Sequence, residues 1–145
     1  MKQSVLLASL TFFFFLNGDA QSVLGKWKTI DDETGEMKSV VELYMKGDKL
    51  HGKVIELYRK PNEDPDPVCD DCEDDRKGKK VMGMEIIRDM EKEDEGWEEG
   101  TICDPANGKV YDCKLWVDEK DPNKLNVRGY ILFLFRTQQW LRHSE

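Results

Sequence analysis

Asp104-Pro105-Ala106-Asn107-Gly108 separates two extended runs, Trp97–Cys103 and Lys109–Val117. Asn-Gly between such runs is the strongest short-range signal of a β-hairpin, because both residues tolerate the positive φ of a tight reversal. The same pattern recurs on either side. Upstream, Leu24–Ile30 leads into the turn Asp31-Asp32-Glu33-Thr34-Gly35. Lys38–Met45 leads into Lys46-Gly47-Asp48-Lys49, and Leu50–Tyr58 pairs back. Val81–Arg88 alternates, with Met82, Met84 and Ile86 on one face, and Glu91–Gly96 follows as a charged loop. Downstream, Asp118–Asn123 is a turn. Leu125–Phe135 is long and apolar, with Gly129 available for a bulge or bend, and Thr137–Arg142 completes the series. Beyond residue 20 the only Ala is Ala106, and the apolar residues come in short runs broken by Gly, Asp, Asn and Pro. About eight sequential strands predict an all-β fold: a single antiparallel meander closed into a barrel, since closure removes the free edges. Such a barrel has an interior either filled by side chains or lined around one small ligand.

The 145-residue chain carries 22 basic and 30 acidic residues, a net charge of −8. Met1–Ala20 has one Lys, an apolar run from Val5 to Leu16, and then Gly18-Asp19-Ala20 with small residues at both cleavage positions. That is the layout of a secretory signal peptide, and the run is too short to span a hydrocarbon layer of about 30 Å. The expectation is a leader over 1–20 and one barrel domain over 21–145. The expected product is exported, periplasmic or secreted, and not lipid-anchored, because no Cys stands directly after the leader. The acid excess argues against nucleic acid and against anionic lipid as partners, and no later segment could cross a membrane.

Several short segments, in order, resemble the family known as domain of unknown function 2147. They include Gly25-Lys26-Trp27, Leu50-His51-Gly52-Lys53-Val54, Cys69-Asp70-Asp71-Cys72, Val81-Met82-Gly83-Met84-Glu85-Ile86, Asp104 through Tyr111, Val127-Arg128-Gly129-Tyr130 and Arg136-Thr137-Gln138-Gln139-Trp140. The resemblance implies a small exported bacterial domain and no activity. The sequence departs from the family at Phe135-Arg136, where a Gly would separate the aromatic from the Arg. Gly25-x-Trp27 is also similar to the first strand of lipocalin-type barrels. That resemblance implies an Arg from a late strand packed on the indole to close the barrel, with Arg128 the first candidate and Arg142 the second.

The four cysteines, Cys69, Cys72, Cys103 and Cys113, allow three pairings. In an exported chain the expectation is Cys69–Cys72 and Cys103–Cys113, each closing locally, with free thiols or a single pair as the alternative. Cys69-Asp70-Asp71-Cys72 has no second close pair for zinc, and its acids would raise a thiol pKa rather than activate it. Pro61–Lys80 holds three Pro and eight acids and reads as a long polar loop. Its carboxylates lack the alternating order of a calcium loop, so no metal is assigned. Arg128 and Tyr130, two apart, resemble the carboxylate grip of fatty-acid-binding barrels. The apolar alternation, however, puts Val127 and Ile131 inward and turns both polar residues out. Ser39 and His51 are the only Ser and His well inside the domain, with no nucleophile elbow and no Gly-rich phosphate loop, and His51 reads as a surface residue. Trp97, Trp116, Trp140, Tyr44, Tyr58 and Tyr111 read as core or cross-strand aromatics, with pocket lining as the alternative.

These readings predict a non-enzymatic binding module without a cofactor. It would take a small apolar or amphipathic ligand in a barrel mouth lined by Val41, Leu43, Met45, Met82, Met84, Ile86, Phe133 and Phe135. The competing readings are a structural or protein-interaction domain with a filled core, and a hydrolase built on paired carboxylates. A void of a few hundred Å³ open to solvent would separate the first from the second.

Overall fold

Asn107-Gly108 makes the turn its residue types suit. Gly108 sits at φ 72°, its N–H donates to Asp104 O (2.8 Å), and Asn107 Oδ1 accepts from the Lys109 N–H (2.9 Å). In the computed structural model, which describes residues 22–144, this hairpin joins two strands of a closed antiparallel barrel. The strands are β1 (Gly25–Ile30), β2 (Met37–Lys46), β3 (Lys49–Leu57), β4 (Glu85–Glu93), β5 (Gly96–Asp104), β6 (Lys109–Val117), β7 (Lys124–Ile131) and β8 (Leu134–Arg142). Each pairs with its sequence neighbour, and β1 meets β8 to close the ring. The leader read in residues 1–20 lies outside the described residues. Among the described residues no helix is long and apolar enough to cross a membrane.

Up-and-down order sends the short turns after β2, β4 and β6 to one end, together with the start of β1. The other end carries the loops at 31–36, 58–84, 105–108 and 132–133. Alternation sends Trp27, Val41, Leu43, Leu50, Ile87, Met90, Leu115 and Leu125 inward, where they are buried almost completely. Truncating any one of these to Ala would cost about 2–5 kcal/mol, the usual range for a filled core.

Three element boundaries differ from the expectation. β4 begins at Glu85, not Val81, because Val81–Met84 turns: Gly83 adopts φ 84° and Met84 N–H donates to Val81 O. β4 and β5 then extend through the supposed charged loop and leave a two-residue turn. The run Leu125–Phe135 is not one strand. It breaks at Leu132-Phe133, a two-residue turn with Leu132 at φ 54°, and no Gly, Asn or Asp marks the reversal.

The polar segment 61–80 is fixed against the barrel. Cys69 and Cys72 form a disulfide, and Val68 bridges to Lys80. The buried Arg76 guanidinium binds Asp74 through Nε and Nη2 and the Glu85 carbonyl through Nη1. A Cβ on Gly108 would lie 2.1 Å from the Asp71 carbonyl, so this loop rests directly on the β5–β6 turn. The expected Cys103–Cys113 disulfide is absent; both are buried free thiols. The ladder explains why. Cys103 faces Val110 and Cys113 faces Gly100, three positions apart, which places the two side chains on opposite faces of the sheet. Cys103 Sγ instead lies 3.8 Å from Cys72 Sγ, beneath the loop.

Candidate functional site

The two ends of the barrel are built differently. At the β1 end, Trp27 is fully buried and its Nε1–H donates to Val23 O at 2.8 Å. The Arg142 guanidinium stacks 4.2 Å from the indole ring centre. From there it donates to the carbonyls of Ser22 (3.0 Å), Leu24 (3.4 Å) and Pro122 (3.2 Å), tying the incoming chain and the β6–β7 loop together. The first-choice partner, Arg128, is not there. It lies on the outer face of β7, 5.0 Å from the Trp116 ring centre and 4.4 Å from that of Phe135, with Nε donating to Thr137 Oγ1. The ladder pairs Trp27 with Arg142, and that long-range register decides the choice.

The opposite end is open. A cavity of about 900 Å³ enters the barrel between the four loops, above the filled lower half. Val54, Val81, Ile86, Ile102, Val127 and Trp140 supply its apolar wall, and Thr29, Ser39, Tyr111 and Gln138 supply polar atoms. Thr29 and Ser39 hydroxyls bond each other at 2.7 Å. Trp140 is 2% exposed, and its Nε1–H makes no hydrogen bond among the described residues. The N–H is closed off from the opening, so it is an unmet donor of the packed interior and not a contact offered to the cavity.

The rim is acidic: Asp31, Asp32, Glu33, Asp70, Asp71 and Asp104 all border the opening. Its cations are engaged, Arg136 with Asp32, Lys38 with Asp31 and Arg59 with Glu63. The Arg136 guanidinium holds the Asp32 carboxyl below the usual carboxylate range. Backbone N–H groups of Thr34 and Glu33 do the same for Asp31. The mouth therefore presents ionised acids without an uncommitted cation among these three.

Of the expected lining, only Ile86 borders the cavity. Val41, Leu43 and Met84 are buried in the packed core, and Met45 is at the exposed end of β2. Met82 is exposed because the Val81–Met84 turn breaks its alternation with Met84. Phe133 and Phe135 are exposed because the turn at Leu132-Phe133 carries them out of the barrel. Arg128 and Tyr130 lie on the outer face, so they cannot grip a ligand inside. Ile102, Val127 and Gln138 went unnoticed; strand parity counted back from Trp140 and Leu125 would have found the last two.

His51 is also not a surface residue. It is buried on the outer side of β3, with Nδ1 3.2 Å from Glu85 Oε2 and Nε2 3.4 Å from Asp89 Oδ1. Tyr44 donates to Glu85 at 2.6 Å, and desolvation followed by that bond raises its pKa to about 12. Arg88 joins Glu85 to Asp75 and so ties the mouth loop to the wall. None of this network borders the cavity; it braces the outside. Four of the eight acids of segment 61–80 are used in ion pairs, Glu63 with Arg59, Asp66 with Lys80, Asp74 with Arg76 and Asp75 with Arg88. Among the described residues no three potential metal ligands converge.

A comparison with solved structures found protein HP1028 from the human pathogen Helicobacter pylori, described as belonging to the lipocalin family. The TM-score is 0.70 at 15% identity, over 86% of this chain and 84% of that one. At that identity the likeness shows the fold, a lipocalin-like barrel. No curated protein matched the chain. Residues 25–142 match the family described as "Uncharacterized protein conserved in bacteria (DUF2147)", and the chain belongs to that family.

Proposed function

We propose that this protein is an exported, non-enzymatic binding module. Its ligand is a small molecule with an apolar body and a neutral or cationic polar group, held in the barrel mouth. The cavity of about 900 Å³, open at one end above a filled floor, carries the reading. That volume suits a small organic molecule. Burying about 300 Å² of apolar ligand surface would give roughly 7 kcal/mol before ordering costs. The paired rim cations favour ligands other than anions. A filled-core interaction domain does not account for the void. Asp31 and Asp32 at the rim, both held below the usual carboxylate range, are poorly suited to be the general acid of a carboxylate hydrolase. Export is supported by the apolar leader in the sequence and by the Cys69–Cys72 disulfide.

The test is native mass spectrometry of protein purified without refolding, combined with displacement of the fluorescent apolar probe N-phenyl-naphthylamine. A long-chain alcohol or amine should displace the probe before the carboxylic acid of the same length. Val127→Trp, which fills the cavity, should abolish probe binding while the protein stays folded. No probe binding at all, or probe binding unchanged in Val127→Trp, would overturn the reading.

A further inference from the structure

We propose that the β7–β8 hairpin tip docks this protein onto the surface of a zwitterionic phospholipid bilayer. Leu132, Phe133, Leu134 and Phe135 are 89%, 86%, 64% and 61% exposed, four consecutive large apolar side chains on a protruding turn beside the cavity mouth. Local folding does not explain them. Leu132 holds φ 54°, a conformation that Asn or Gly would adopt with less strain. Leu-Phe at this turn is thus unfavourable both for the backbone and for hydration, and the exposed side chains add little to the core. A convex apolar point suits a soft interface better than the flat face of another folded protein.

The surface just behind the tip has the make-up of an interfacial belt. Tyr130 and Trp116 lie on the outer face, with Tyr130 against Phe135 at a ring separation of 6.1 Å. Arg128 sits between Phe135 and Trp116, and among the described residues it makes no ion pair. Four residues of strand separate Arg128 from Leu132, about 13 Å. An element lying in a bilayer interface sinks about 5–10 Å. With the tip at that depth, the Arg128 guanidinium reaches the level of the lipid phosphates, which it can bind as a planar donor. The net charge of −8 and the acidic rim disfavour an anionic leaflet, so the complementary surface is a zwitterionic one. This contact is peripheral, and it stands whether or not the cavity holds a ligand.

The test is co-sedimentation of the purified protein with phosphatidylcholine vesicles. The protein should pellet with millimolar lipid, and phosphatidylserine in the vesicles should weaken binding. The pair Leu132→Asn and Phe133→Gly should lower partitioning at least about tenfold, with a melting temperature equal to or above that of the parent. Arg128→Gln should weaken it several-fold without removing it. Absence of pelleting would overturn the proposal, as would binding unchanged in the tip variant. So would a dimer of the parent protein that the tip variant dissociates, which would make the tip a self-association surface.

Discussion

Replacing Arg142 with Ala removes the seal under the barrel, and the structure sets the size of the effect. The side chain stacks on a fully buried indole, an interaction worth roughly 0.5–2 kcal/mol. It also donates charge-assisted hydrogen bonds to the Ser22, Leu24 and Pro122 carbonyls at 3.0–3.4 Å. Good bonds of that kind contribute about 1.5–3 kcal/mol, but these are long and half-exposed, so their share falls toward the lower bound. Together the loss should be about 2–3 kcal/mol, a fall in melting temperature of about 8–12 °C for a domain of this size. Arg142→Lys keeps the charge over the ring but not the planar fork, and should fall between parent and Ala. Arg128→Ala, on the outer face, should cost about 1 kcal/mol or less, since solvent replaces most of what it touches. Urea denaturation of the three variants at constant m-value gives the ranking directly. If Arg128→Ala destabilises more than Arg142→Ala, or if Arg142→Ala costs under about 1 kcal/mol, the guanidinium does not seal the barrel.

Alkylation under native conditions should label no cysteine, because burial shields Cys103 and Cys113 and raises both thiol pKa values, that of Cys113 to about 12. After unfolding without reductant, mass spectrometry should find adducts on Cys103 and Cys113 alone; a chain with no adduct would mean a second disulfide. The hydrogen bonds from Arg76 hold the Asp74 carboxyl down to about 2, below its ordinary value of 3.8. Between those values the unfolded chain takes up the proton first, so the stabilisation is complete above about pH 5 and lost as pH falls toward 2. The melting-temperature gap between parent and Asp74→Asn should therefore shrink over that interval, and a gap independent of pH would contradict it. Gly108→Ala combines a positive φ with a contact of 2.1 Å to the Asp71 carbonyl. It should destabilise by about 2 kcal/mol or more and make segment 61–80 a site of limited proteolysis; an intact loop would show that the segment does not depend on that approach.

The barrel was legible because its signals are local. Asn107-Gly108, Gly47-Asp48 and the alternation along β2, β6 and β7 each specify a reversal or an inward face without reference to the rest of the chain. What escaped were features set across distance or hidden by ordinary residues. Arg142 meets Trp27 through the closing ladder, whose register no single strand encodes. The turn at Leu132-Phe133 contains only residues that favour extension, so one long strand was the natural reading, and Phe133 and Phe135 were misplaced with it. Cys103 and Cys113 stand near each other in sequence, yet a three-position offset separates them. The wall at Ile86 was found from alternation. Met82 was lost because Gly83 interrupts the strand just before it begins. The burial of His51 on β3 is not legible locally because its partners, Glu85 and Asp89, stand on another strand, β4.

The joint between first and last strands carries the fewest ladder pairs of the cylinder, with the β3–β4 joint next at three. β7 and β8 are laced through eight residue pairs, whereas β1 and β8 share two, Trp27–Arg142 and Lys28–Leu141. Above those two, the free flank of β8 runs past the short β1, and the Asp32–Arg136 ion pair is the clasp at the top. The upper part of this seam is therefore held by a side-chain ion pair and not by a backbone ladder. Salt, by screening that one exposed clasp, should loosen the upper seam before it loosens the laced strands.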